Sequence, residues 1–179
     1  MERLKELAVN FVKLGLVDVE AARGPKASGR GLNQAADSMG VSWGSVLVQL
    51  DVDLRHYIIL GVLSGTLTIS QQAWVAWEKE LYAQMKSRKG YWGITQGFPL
   101  TMLTDHENIV RVSKIPVERL QERIFRWWSE ATRGQAHFEH RSGKSLLISI
   151  ADGISRNVVE RDIIPRLDEN PELFKCNRI

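Results

Sequence analysis

The chain has 179 residues, 44% hydrophobic and 25% charged, with a formal net charge of +3 at pH 7. That balance excludes a disordered or strongly acidic segment and fits a soluble globular protein with one sizeable core or two small ones. The single cysteine, Cys176, excludes a disulfide framework or a thiolate zinc site, and the apolar run Tyr57 to Leu63 is too short for a bilayer. The expectation is a cytoplasmic protein without a membrane partner, and the mild basic excess permits a nucleic-acid partner without requiring one.

In chain order, Leu4, Leu7, Ala8, Phe11, Val12 and Leu14 recur at helical spacing, which predicts an amphipathic helix over Met1 to Leu14 with no export signal. The stretch EAARGPKASGRG carries Arg23, Lys26 and Arg30 and no large apolar side chain, so Gly24 to Gly31 reads as a mobile basic loop. Between Val46 and Leu63 two periods compete, alternation at Val46, Val48, Leu50 and helical steps at Val46, Leu47, Leu50, Leu54, and both remain open. TLTIS after Gly65 reads as a short strand. Ser70 to Ser87 predicts a helix with Trp74, Trp77, Leu81 and Met85 on its apolar stripe, and RKGYWGITQGFPL a loop. Thr104 or Asp105 is placed to cap a short helix through Val112, and a second helix is predicted from Pro116 to Arg133 with Gly134 as its stop. Gln135 to Ile150 reads either as two short strands or as the approach to a helix over Ser145 to Val159, with an irregular tail from Pro165.

Two stretches share one spacing. Ala36, Gly40, Val41, Ser42, Val46 and Leu50 are matched by Val110, Lys114, Ile115, Pro116, Leu120 and Ile124, a weak internal repeat. In the first, a small residue, a glycine able to turn left-handed, a capping serine and an aliphatic four residues later follow in order. This stretch, Leu32 to Leu50, resembles the helix-turn-helix superfamily, and the second copy departs from the pattern at Lys114. The resemblance implies a mainly α fold in two modules, 1–70 and 71–179, with short β-hairpins. It also implies base-reading side chains at Trp43, Ser45 and Gln49 in the first copy and Arg119 and Arg123 in the second, with the capping Ser42 and Lys114 as further nucleic-acid contacts.

Other chemistry is weaker. HFEH places His137, Glu139 and His140 together without a further ligand nearby, and SGKS lacks the glycine a phosphate-binding loop needs before Gly143. Arg111 to Lys144 holds eight Lys or Arg against four Asp or Glu, a basic stripe extended by Arg141 and Lys144. Lys86, Arg88 and Lys89 form another cluster beside Tyr91 and Trp92. No nucleophile sits beside a base, and no cofactor is implied. The sequence therefore predicts a non-enzymatic nucleic-acid-binding protein, a DNA-binding regulator or replication accessory, contacting DNA more readily than RNA. The alternatives are a helical subunit of a ribonucleoprotein assembly such as a CRISPR-type effector and a protein-interaction module, with protein partners or self-association possible in either.

Overall fold

The computed structural model describes residues 14–157. The helix expected over Met1 to Leu14 and the tail from Pro165 therefore lie outside the described residues, Leu14 excepted. Two short helices lead, α1 (Val19–Arg23) and α2 (Pro25–Ser28), followed by the strands β1 (Leu32–Met39), β2 (Ser42–Leu50) and β3 (Tyr57–Thr66). Then come α3 (Ile69–Gln72), α4 (Ala76–Gly90), α5 (Trp92–Thr95), β4 (Leu100–Thr104), α6 (Glu107–Arg111), α7 (Glu122–Ala131), β5 (Ala136–His140) and α8 (Leu146–Arg156). Among these residues no helix is long and apolar enough to cross a membrane.

The strands form one five-stranded sheet in the order β3-β2-β1-β4-β5. β1, β2 and β3 are antiparallel neighbours, whereas β4 runs parallel to both β1 and β5. The expected mainly α fold is thus corrected to a mixed α/β fold, and the sheet draws strands from both sides of residue 70. The stretch Leu32 to Leu50 is a β-hairpin and not a helix-turn-helix. Its turn is Gly40-Val41, with Met39 opposite Ser42, and Gly40 has φ 56°. A left-handed glycine was the right local expectation, but a two-residue hairpin loop makes the same demand.

Helices cover both faces of the sheet, which explains why β2 shows no clean alternation: every residue from Ser42 to Gln49 is buried. One face packs Leu47, Leu60, Leu100 and Met102 against Leu81 and Met85 of α4 and Ile124 and Trp127 of α7. The other packs Ala35, Val46, Val48 and Leu103 against Leu147, Ile148 and Ala151 of α8. Between α4 and the sheet lies a buried amide pair. The Gln34 amide donates to the Gln84 carbonyl (3.0 Å) and side-chain oxygen (2.9 Å), and the Gln84 amide donates to the Leu103 carbonyl (2.7 Å).

Local expectations were met unevenly. The helix expected over Ser70 to Ser87 is split into α3, capped by Thr68 and not Ser70, and α4, which continues to Gly90. TLTIS is the end of β3 and the start of α3, not a strand of its own. The loop RKGYWGITQGFPL contains α5 and opens β4, and the loop Gly24 to Gly31 contains α2. The helix expected from Pro116 shortens to α7, because Leu120 (ψ 139°) and Gln121 (ψ 135°) are extended. Arg119 therefore precedes the helix that carries Arg123. Gln135 to Ile150 holds one strand and the first turn of α8.

Candidate active site

The parallel pairing of β1 with β4 matches Ala35 to Leu103. Two residues further along each chain stand Asp37 and Asp105, so adjacent chain segments deliver carboxylates to the same end of the sheet. Helices on the two faces add two more. Glu80, in the second turn of α4, is 2% exposed, accepts a hydrogen bond from the Thr104 hydroxyl, and lies 2.5 Å from Nδ1 of His106. From the other face α8 brings Asp152 and Ser155, whose hydroxyl donates to Asp37 at 2.9 Å.

The electrostatics record this convergence. Burial raises the Asp37 carboxyl above its ordinary range, the Ser155 hydrogen bond opposes that, and the negative charges of Asp152 and Asp105 add to it. Burial also raises Glu80, against hydrogen bonds from His106 and Thr104. His106 is pushed up to about 9, chiefly by its hydrogen bond to Glu80. Carboxylates gathered this closely raise one another's pKa, and a cation relieves that repulsion. One ligand atom each from Glu80, Asp105 and His106 lies within 4.8 Å of the others. The donor set therefore fits a divalent metal.

Close backbone approach makes this geometry possible. A Cβ on Gly44 would lie 2.5 Å from the Ser155 amide nitrogen, so only glycine lets α8 lie this near β2. The loop after β5 folds over Asp105. The Arg141 amide donates to the Thr104 carbonyl at 2.8 Å, Nε2 of His140 lies 3.2 Å from the Asp105 carbonyl oxygen, and a Cβ on Gly143 would lie 2.7 Å from an Asp105 carboxylate oxygen.

The residues singled out from the sequence fall elsewhere in part. Ser42, Trp43, Ser45 and Gln49 are buried in β2. Ser42 donates to the Ser155 carbonyl, Ser45 meets the Tyr91 hydroxyl and Gln49 donates to the Asp18 and Arg30 carbonyls, so no groove-reading helix face exists. Arg23 and Lys26 are exposed, and Arg30 pairs with Asp18 at 2.8 Å, all ahead of β1 and away from Asp37. Lys86 and Lys89 are exposed further along α4, while Arg88 is buried, donating to Thr95 and stacked 4.7 Å from Trp92. Lys114 and Arg119 are exposed, and Arg123 pairs with Glu78 at 2.7 Å. Arg141 and Lys144 alone lie on the loop that covers Asp105.

Sequence reasoning missed all four carboxylates. Asp105 was read as a helix cap, yet α6 begins after His106 without a side-chain cap bond, which leaves the Asp105 carboxylate free for other chemistry. The available signal was the stretch Leu-Thr-Met-Leu over 100–103 running into Thr-Asp-His, a short strand followed directly by an acid. Asp37 was hidden by the helical reading of its strand, and Glu80 by its place among the alternating charges of α4.

A family model for the RNase H-like domain found in reverse transcriptase matches residues 33–132, a span that holds Asp37, Glu80 and Asp105. The Transposon Tf2-3 and Tf2-4 polyproteins of Schizosaccharomyces pombe (strain 972 / ATCC 24843) are each 28% identical over 145 residues. Those matches cover 80% of this chain but 11% of either relative, so the chain spans about a ninth of their length. Among solved structures, the foamy viral protease-reverse transcriptase dRH in complex with dsDNA superposes with a TM-score of 0.56 at 14% identity, covering 79% of this chain and 25% of that one. A prototype foamy virus protease-reverse transcriptase mutant gives 0.50 at 14%, covering 72% and 21%. These two likenesses concern the fold. The family match overturns the helix-turn-helix resemblance, and with it the non-enzymatic regulator expected from the sequence. The chain belongs to the RNase H-like domains found in reverse transcriptases.

Proposed function

We propose that the chain is a divalent-cation-dependent nuclease that hydrolyses the RNA strand of an RNA/DNA hybrid. The observation that carries the reading is the meeting of Asp37, Glu80, Asp105 and Asp152, drawn from two strands and two helices, at one end of the sheet. The family's description supplies the reaction class, and the partner it implies is nucleic acid.

Asp37, Glu80 and Asp105 would hold the metal, with Asp152 at the rim, where its carboxylate also pairs with Arg156 at 2.6 Å. When bound there, a divalent cation supplies charge neutralisation for a phosphodiester and lowers the pKa of a coordinated water. The protein's own part is positioning. Thr104 fixes the Glu80 carboxylate, and Ser155 fixes Asp37. Arg141 and Lys144, exposed on the loop over Asp105, would meet the phosphates flanking the scissile one, Arg141 giving up its 2.6 Å pair with Glu139 to do so.

The test uses the 179-residue chain with end-labelled RNA/DNA hybrid, RNA alone and DNA duplex, in Mg²⁺, in Mn²⁺ and in EDTA. Cleavage confined to the RNA of the hybrid, abolished by EDTA and reduced at least about a hundredfold in a folded Asp105→Asn variant, is expected. A folded chain that leaves the hybrid intact in both metals overturns the reading.

A further inference from the structure

The carboxylates account for the metal site in general, but not for the imidazole that stands among them. Nδ1 of His106 is 2.5 Å from a Glu80 carboxylate oxygen and 3.0 Å from an Asp105 carboxylate oxygen, the position from which one atom meets both acids. The backbone sets this placement. The His106 amide donates to the Thr104 hydroxyl at 3.1 Å, and that same hydroxyl donates to Glu80. Thr104, Asp105 and His106 are consecutive, so the turn that ends β4 delivers a positioning hydroxyl, a carboxylate and an imidazole to one point.

Mg²⁺ is held almost wholly by oxygen, whereas first-row transition cations accept an imidazole nitrogen, Mn²⁺ the least strongly of them. We propose that His106 is a nitrogen donor to the divalent cation held by Glu80 and Asp105, and that it tilts the site from Mg²⁺ towards Mn²⁺. The inference rests on the reading of these acids as a metal site. An imidazole coordinates through its lone pair. The neutral imidazole is therefore the form that would bind, with Nδ1 already within reach of both carboxylates.

The test loads the full chain with Mn²⁺ and reads the bound ion by pulsed electron paramagnetic resonance, with Mn²⁺ affinity from the free-ion signal and Mg²⁺ affinity by competition. Wild type is expected to show hyperfine coupling to a directly bound ¹⁴N that disappears in His106→Ala. The same variant should bind Mn²⁺ about tenfold more weakly, while Mg²⁺ affinity falls by less than about threefold. Asp105→Asn identifies the site by losing the bound ion. Bound Mn²⁺ without nitrogen coupling in wild type overturns the inference and leaves the nuclease reading standing. Tighter Mn²⁺ binding by His106→Ala also overturns it, because the imidazole would then be a competitor for the cation's place. A folded wild-type chain that binds no Mn²⁺ overturns the inference, and overturns the nuclease reading as well only if the hybrid also stays intact in Mg²⁺.

Discussion

The two faces of the sheet differ in thickness and in task. On the α4 and α7 side, Leu81 and Met85 meet a broad apolar layer closed by an aromatic group in which Trp74, Tyr82 and Trp127 stand 4.7 to 5.4 Å apart, centre to centre. On the opposite side α8 rests on a smaller patch of Ala, Val and Leu side chains and reaches the sheet through Gly44. Glu80 belongs to the thick layer and Asp152 to the thin one. The site is therefore anchored unequally, and its weaker half is expected to fail first, since a helix held by the smaller apolar cluster opens at lower free energy than the main core.

The largest expected effect tests the thick layer. Leu81, fully buried, changed to Ala should destabilise the whole domain by about 3 kcal/mol and lower Tm by roughly 6–12 °C. Thermal denaturation would show one transition shifted as a unit. Gly44→Ala acts on the thin layer. Its new Cβ meets the Ser155 backbone, which cannot give as a flexible side chain can, so a cost of about 1–3 kcal/mol is expected. Hydrogen exchange should then quicken in α8 while α4 amides stay protected, with nuclease activity falling before the fold does. Equal loss of protection in both helices would erase the distinction between the layers.

Tyr91 gives a smaller, pH-dependent probe of the thick layer. Its hydroxyl lies 3.0 Å from the Ser45 hydroxyl, and burial pushes the phenol up to about 12. Because this pKa is raised above the ordinary value of about 10, its contribution is complete below pH 10 and is lost as pH rises through 12. Tyr91→Phe should cost about 1 kcal/mol at pH 7, and chemical denaturation across that range should show the variant losing less stability than wild type. The smallest effect has the opposite sign. Asp37 is strained by burial and by its acidic neighbours, so Asp37→Asn should stabilise the metal-free protein by about 0.5–1 kcal/mol while abolishing cleavage. A lower Tm in that variant would mean the acids do not repel one another in the folded chain.

What was legible in the sequence follows from which physical demands are unique to one structure. The helix carrying Leu81 and Met85 was readable because these apolar side chains recur at helical spacing and face one core, although Glu78, Glu80 and Arg88 of the same helix are buried. The hairpin was not, because β2 is covered on both faces and lacks the alternation that marks a half-buried strand. Gly40 signalled a left-handed turn correctly without saying which elements the turn joins. The site was less legible than the fold. Asp37, Glu80, Asp105 and Asp152 are far apart in the chain, and only the parallel pairing of β1 with β4 and the packing of a helix on each face bring them together. Arg141 and Lys144, singled out as cations, do stand at the rim, but nothing local ties them to Asp105.

The amide pair of Gln34 and Gln84 sets the axial position of α4. Apolar side chains tolerate a helix sliding along a sheet, since dispersion contacts are non-directional and re-form after a small slip. Three directed hydrogen bonds to β1 and β4 do not. Gln84 lies one turn after Glu80 on the same side of the helix, so the bonds that hold Gln84 also index the carboxylate to the strand ends. A slip of one residue would carry Glu80 about 1.5 Å along the axis and rotate it away from Thr104. The helix thus works as a pinned ruler, with the Glu80 carboxylate one turn from the pin.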